Sequence, residues 1–421
     1  MVLVYSNGNS HVHVSTDKAE KVVKRNPDGT LAINLIREIG AQQFLTSLPD
    51  LRQQQQLGSE PNAHPYLTLF TQINWDLASV TIEMPRAICD LRYILMNSIK
   101  VNQRQLALQL LAAVKFIHTA GVLHRDLKPD NILLFPASKS DQGLQLRLAD
   151  FGSARAVVSD QSRDQTKEVY TQYYRAPEVR AGQLYNFKAD VWATGCVLVE
   201  LLGNQSQPLF VDERLYQPAQ LESRLNAILG QESPYRGEAA LDRSFRTIVK
   251  SMLKLDQATR IDLKSIKLDG MAALVPPSKQ IKWPQSVPAI VIDQMVQHCD
   301  TLNFDFQTLW VALGLLSWTS TSDVHQAAAL LLAGKNDHNF SLQKLVERGI
   351  VDDTHDQLNA VIQVETEMVS KAGHQLFSLS PLLLVDALAD NELITKFIDW
   401  LRQDYAVKYT ASELAMMLTT N

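Results

Sequence analysis

The chain has 421 residues, is 46% hydrophobic and 20% charged, and carries a formal net charge of −5. That length leaves room for two or three domains with separate cores, and the acidic balance excludes nucleic-acid binding by overall charge, leaving only a local basic groove. Cys89, Cys196 and Cys299 lie too far apart for a disulfide framework or a metal knuckle, which fits a reducing compartment. The N-terminal stretch lacks a basic region followed by a long apolar core. The most apolar runs contain charge or are too short to span a bilayer. The expectation is a soluble intracellular protein, cytoplasmic or nuclear, with no direct nucleic-acid or membrane binding.

In chain order, VLVY, HVHV and EKVVK predict three strands, with SNGN and NPDG as turns. LAINLIREIGAQQFLTSL predicts an amphipathic helix. The run Gln53 to Gln56 and the GSEPN after it predict a loop, with YLTLF and SVTIEM as two further strands. The pattern then turns helical: LALQLLAAVKFIHTAG has a broad apolar face and a stop at Gly121, and WATGCVLVELL reads as a buried helix. Between them, ILLF and LQLRLAD predict short strands. VPPSKQIKWPQSVP, residues 275–288, holds four prolines in fourteen residues and predicts a linker. Beyond it come seven helical patterns, at 289–302, 306–318, 324–335, 340–349, 357–373, 382–390 and 392–404, enough for an all-α domain.

Chemistry concentrates in HRDLKPDN, residues 124–131, placed after a helix and before a strand. Asp126 is suited to accept a hydroxyl proton, Lys128 to neutralise a transferring phosphoryl group, and Asn131 to hold a metal ion. DFG follows at Asp150–Gly152, whose carboxylate would bind Mg²⁺ bridging nucleotide phosphates, and APE at Ala176–Glu178. The order and spacing match protein kinases. A lysine on the third strand paired with a helix glutamate completes such a set, and KVVKR and NLIREI offer Lys24 and Glu38. Together these predict ATP and Mg²⁺ as cofactors, with Gly8, Lys24, Glu83, Asn131 and Asp150 expected around the nucleotide. The glycine-rich loop is degraded: SNGNSHVH keeps only Gly8, which weakens or alters the grip on phosphate without removing a catalytic atom.

Residues 1 to about 272 resemble eukaryotic-type Ser/Thr protein kinases, and within them the cyclin-dependent kinases of the proline-directed group. The resemblance implies an α+β bilobal fold, with a small lobe at 1–85 and a large lobe at 86–274. In TKEVYTQYYRAPE, residues 166–178, it implies that Thr166 is an activating phosphosite, modified by an upstream kinase. Thr171 would contact Asp126 and Lys128, while Val169, Tyr170 and Arg175 would shape a pocket for a proline following the target Ser or Thr. Asp190 would buttress the catalytic loop, and Arg260 would pair with Glu178. Phosphothreonine needs clustered arginines, and Arg37, Arg125 and Arg155 stand at the family's three positions. The family's inhibitory Thr–Tyr pair is replaced by Asn9 and Ser10.

LIREI keeps only the IRE part of the family's PSTAIRE signature, with Ile36 where an isoleucine faces the cyclin. The tail, 289 to about 400, resembles a single cyclin box within a domain running to residue 421. VHQAAALLLAGK is similar to its central helix, and Lys335 and Glu365 would clamp backbone at the start of the kinase helix. The implied function is a Ser/Thr kinase acting on protein substrates and activated in cis by its own C-terminal domain. Two rival readings stand beside it: a helical tail unrelated to cyclins that docks substrates, and a pseudokinase scaffold whose ruined glycine loop no longer holds ATP.

Overall fold

A computed structural model describes residues 2–6, 9–47, 67–137, 143–157, 171–211, 216–229, 243–266, 285–338, 340–377, 391–403, 405–408, 413–414 and 417–418. The first lobe is built on an antiparallel sheet of β1 (Val2–Ser6), β2 (Ser10–Val14), β3 (Lys18–Lys24), β4 (Gln72–Trp75) and β5 (Ser79–Pro85), in the order β1-β2-β3-β5-β4. Alternation decides the faces. Ala19 and Val23 of β3 and Val80 and Ile82 of β5 are buried beneath the sheet, and Lys21 shares that face, opposite Ile82. Helix α1 (Ile33–Ser47) fills the space below and is buried on nearly every side, including Leu35, Ile36, Glu38, Ile39 and Gly40. A helix enclosed all round packs against more than the sheet.

Of the expected strand YLTLF, residue 66 lies outside the described residues and 67–70 form no regular strand. Leu67 makes an isolated parallel bridge to Leu148, where the Thr68 N–H donates to the Leu148 carbonyl at 2.8 Å. The fourth strand is instead β4, whose Gln72 and Asn74 are exposed. As an edge strand with a polar outer face, it offers little apolar signal to sequence reading.

The second lobe is mainly helical. β6 (Cys89–Asp90) leads into α2 (Leu91–Met96), then α3 (Gln103–Thr119), which Asn102 caps by accepting from the Gln105 N–H. β7 (Val122–Leu123), β8 (Ile132–Pro136), β9 (Leu144–Leu148) and β10 (Arg155–Ala156) frame the loops that carry the charged motifs, with β6-β8-β9 and β7-β10 forming two small sheets. α4 (Pro177–Arg180) precedes α5 (Phe187–Leu202), which lies wholly inside the lobe, followed by α6 (Pro218–Leu229) and α7 (Arg243–Met252).

The remaining described chain is helical: α8 (Ala289–Leu302), α9 (Phe306–Trp318), α10 (Asp323–His338), α11 (Leu342–Glu347), α12 (His355–Ala372), a 3₁₀ turn at Gly373–Phe377, α13 (Asn391–Arg402) and α14 (Tyr405–Lys408). α10 is the central helix, with Ala327 through Ala333 all buried. Its small side chains admit close neighbours: a Cβ on Gly334 would lie 2.6 Å from the Phe304 ring. The helix expected at 382–390 and most of the expected linker lie outside the described residues. The architecture is a bilobal, kinase-like fold with an additional all-α C-terminal bundle. No described helix is long and apolar enough to cross a membrane.

Candidate active site

The loop 124–131 is held from below by α5. Asp190 is fully buried and accepts from the His124 and Arg125 N–H groups at 2.8 and 3.0 Å and lies 3.0 Å from His118 Nε2. Burial works against its charge, but these donors and the neighbouring histidines outweigh it and hold the carboxyl below its ordinary range. That anchor also stabilises Arg125 at φ 64°, a left-handed conformation that a side chain normally avoids.

Asp126 stands at the front of the loop. Lys128 Nζ lies 2.7 Å from its Oδ2, and Asn131 Nδ2 donates to both its carbonyl and Oδ2, at 2.8 and 2.9 Å. Thr171 arrives from the distant segment, its hydroxyl donating to Asp126 Oδ1 at 2.9 Å and accepting from Lys128 at 3.0 Å. The expected contact of Thr171 with both residues is thus present in the geometry.

The opposite wall corrects one assignment. Glu38 is paired by Lys21, not Lys24: Lys21 Nζ lies 2.7 Å from Glu38 Oε2 and 2.9 Å from Asp150 Oδ1. Strand parity is the reason. Lys21 shares the inner face with Ala19 and Val23, whereas Lys24 is three residues on, faces the other way and is exposed at the strand end. The alternation in KAEKVVK carried this signal. Glu83 is likewise turned away, its carboxylate on the outer face taking Lys18 and Asn74 at 3.0 Å each and its carbonyl taking the Thr71 N–H.

Burial works against the Lys21 charge, yet the two carboxylates beside it hold the ammonium above its ordinary range. Burial pushes the Glu38 carboxyl up despite Lys21. At Asp150 burial acts in the same upward sense, but Lys21 outweighs it and keeps the group below the usual carboxylate range. Asp150 sits at φ 62°, with Phe151 fully buried behind it against the His124 ring.

Comparison with known proteins agrees with this geometry. The model for the protein kinase domain matches residues 62–269. The Xenopus laevis Ser/Thr-protein kinase NLK2 is 44% identical over 98 residues, covering 23% of this chain and 21% of that protein. The mitogen-activated protein kinase sty1 of Schizosaccharomyces pombe is 43% identical over 103 residues, 24% of this chain and 26% of its own length. The mitogen-activated protein kinase HOG1 of Scheffersomyces stipitis is 32% identical over 184 residues, 41% of this chain and 44% of its own length. The chain carries a eukaryotic Ser/Thr protein kinase domain. It is related to the mitogen-activated kinases and is followed by an all-helical region, and the chain spans less than half the length of each of these relatives.

Within this kinase domain, Glu178 and Arg260 form a buried ion pair at 2.6 and 3.0 Å. Thr166, Val169, Tyr170 and Gly8 lie outside the described residues. Of the three expected arginines, Arg155 opens β10, and Arg125 is buried, its Nε donating to the Ser153 carbonyl at 2.6 Å. Arg37 reaches the helical bundle, where it donates to the Asn336 carbonyl at 2.7 Å.

That contact belongs to a continuous interface between α1 and the bundle. Lys335 and Glu365 are buried, lie 2.6 Å apart, and bracket Leu31: Lys335 donates to its carbonyl at 3.1 Å and Glu365 accepts its N–H at 2.8 Å. Burial raises the Glu365 carboxyl, with Lys335 offsetting part of the effect. Gln43 donates to the Val369 and Ser370 carbonyls at 3.1 and 2.9 Å and accepts from the His374 N–H at 3.1 Å. Arg25 donates to the Thr366 hydroxyl at 3.0 Å. Ile36, Gly40 and Gln43 share one stripe of α1, and Glu38 lies on the opposite side. A Cβ on Gly40 would fall 2.6 Å from the Gly373 carbonyl. Ile36, on the same stripe, is fully buried.

Proposed function

We propose that this chain is an ATP- and Mg²⁺-dependent protein Ser/Thr kinase, directed to sites followed by proline, whose C-terminal bundle acts as a cyclin-like activator in cis. The observation that carries this is a single helix with two engaged faces. α1 presents Glu38 to Lys21, which also pairs with Asp150, on one side, and Gly40 and Gln43 to the bundle on the other, with Ile36 buried on that same stripe. Docking of the bundle therefore bears directly on whether the lysine–glutamate pair is closed, a condition for phosphotransfer in this fold.

Asn131 and Asp150 offer one amide oxygen and one carboxylate, hard donors of the type that Mg²⁺ takes together with phosphate oxygens and water. Lys21 is placed to neutralise nucleotide phosphates. Bound ATP and Mg²⁺ would supply the transferable phosphoryl group and an electrophilic setting for it. Asp126 orients the acceptor hydroxyl and takes its proton, Lys128 stabilises charge on the phosphoryl oxygens, and Thr171 holds both side chains in register. Thr166 phosphorylation and the proline pocket of Val169, Tyr170 and Arg175 belong to the same proposal, supported by kinship with mitogen-activated kinases.

The test is peptide phosphorylation by the full chain and two variants. Asp126→Ala should abolish transfer while leaving the fold intact. Ile36→Asp, which puts a charge into the interface without touching the site, should lower kcat by at least about tenfold. Unchanged activity in Ile36→Asp would refute activation by the bundle and leave the kinase assignment standing.

A further inference from the structure

We propose that Tyr216 is a positioning residue for substrate selection, bracing the segment that receives the residue after the phosphoacceptor. This deepens the kinase reading above and rests on it.

Residues 171–178 are tied down at several points. Thr171 is bound to Asp126, the Tyr174 hydroxyl to Arg92 and Glu200, and Glu178 to Arg260. Between the last two lies Arg175, whose carbonyl accepts from the Tyr216 hydroxyl at 3.0 Å. This tether comes from outside the catalytic machinery, from the turn just before α6.

The Tyr216 ring is fixed in place. It lies 4.7 Å from the Phe210 ring and stacks on Trp192 at 6.1 Å with 17° between planes, and the Arg180 guanidinium lies 4.5 Å from its centre. Trp192 is fully buried in α5. A ring held on three sides places its hydroxyl as a fixed donor, so the orientation of the peptide plane after Arg175 is set by the lobe's core.

The consequence concerns selectivity. Proline brings no N–H, so a site that prefers it discriminates through the shape of the backbone and side chains it meets. Fixing the Arg175 carbonyl fixes that shape. Removing one hydroxyl from Tyr216 should loosen it without altering Asp126, Lys128 or Lys21.

The experiment compares wild type with Tyr216→Phe on two peptides differing only in proline or alanine after the serine. Peptide-free ATP hydrolysis is measured in parallel. Loss of one neutral hydrogen bond predicts an increase of about three- to tenfold in KM for the proline peptide. The proline-to-alanine ratio of kcat/KM should fall, with kcat and ATP hydrolysis unchanged. Equal KM values in the two proteins would overturn the role of Tyr216. Equal wild-type rates on the two peptides would overturn the proline preference alone, with the KM comparison still deciding on Tyr216. A wild type that hydrolyses ATP but phosphorylates neither peptide would overturn the protein-kinase reading and this assignment together. Tyr216→Ala serves as the contrast: losing the ring as well should lower Tm, which Tyr216→Phe should leave within a degree or two of wild type.

Discussion

Lys21 and Lys24 lie three positions apart on one strand, and their difference in role follows from its two-residue period. Lys21 bridges Glu38 and Asp150, whereas Lys24 is exposed at the strand end. Lys21→Met should therefore lower kcat/KM by roughly a hundredfold, the scale for losing one charged stabiliser of a transition state. Lys24→Met should stay within about twofold, as surface substitutions generally do. Steady-state kinetics of both variants decides the matter, and equal losses would refute it. The residue types of the site were legible because Asp126, Lys128, Asn131, Asp150 and Glu38 sit in fixed local motifs. The lysine was not, because KVVKR holds Lys21 and Lys24 on opposite faces of one strand and only the parity of their apolar neighbours separates them. The Glu83 side chain lies on the outer face by the same parity, since its neighbour Ile82 takes the inner one.

At the scale of elements, a buried network ties α2, the segment before α4 and α5 together. Arg92 Nη1 donates to Glu200 Oε2 at 3.1 Å, and the Tyr174 hydroxyl bonds to both residues. The Glu200 side chain is fully buried, and burial lifts its carboxyl to about 7, with Arg92 and Tyr174 offsetting part of the effect. In the unfolded chain this group ionises near 4.5. The folded state thus holds the proton more tightly. The group's contribution to stability is complete below pH 4.5 and is lost as pH rises through about 7. The wild-type stability curve should fall across that window, relative to Glu200→Gln, by about 3 kcal/mol. Denaturant melts at several pH values measure the difference, and a constant offset would rule it out. The network illustrates what sequence reading misses. Arg92 and Glu200 are separated by over a hundred residues and belong to no local motif, whereas Lys335 and Glu365 were found only because each sits in a recognisable helix.

On the scale of the whole molecule, the question is what one continuous chain adds to the contact between α1 and the bundle. The contact leaves no slack where Gly40 meets the Gly373 carbonyl, so Gly40→Val must push the two backbones apart. The bundle reads α1 and the residues before it largely through main-chain atoms: Asn336, Val369 and Ser370 offer carbonyls, Lys335 donates to the Leu31 carbonyl and Glu365 accepts the Leu31 N–H. A modest displacement therefore breaks several hydrogen bonds together. A covalent link keeps the partner at an effective concentration on the order of millimolar. Specific activity of the wild type should accordingly stay constant on dilution from micromolar to sub-nanomolar enzyme, whereas two chains exchanging bundles would lose activity as they separate. Gly40→Val should reduce activity by about tenfold or more at every concentration, because the fault lies in the docked geometry and not in the encounter. Activity that fell with dilution in the wild type would mean the bundle acts on a second copy. Full activity in Gly40→Val would mean that the closed lysine–glutamate pair stands without the bundle.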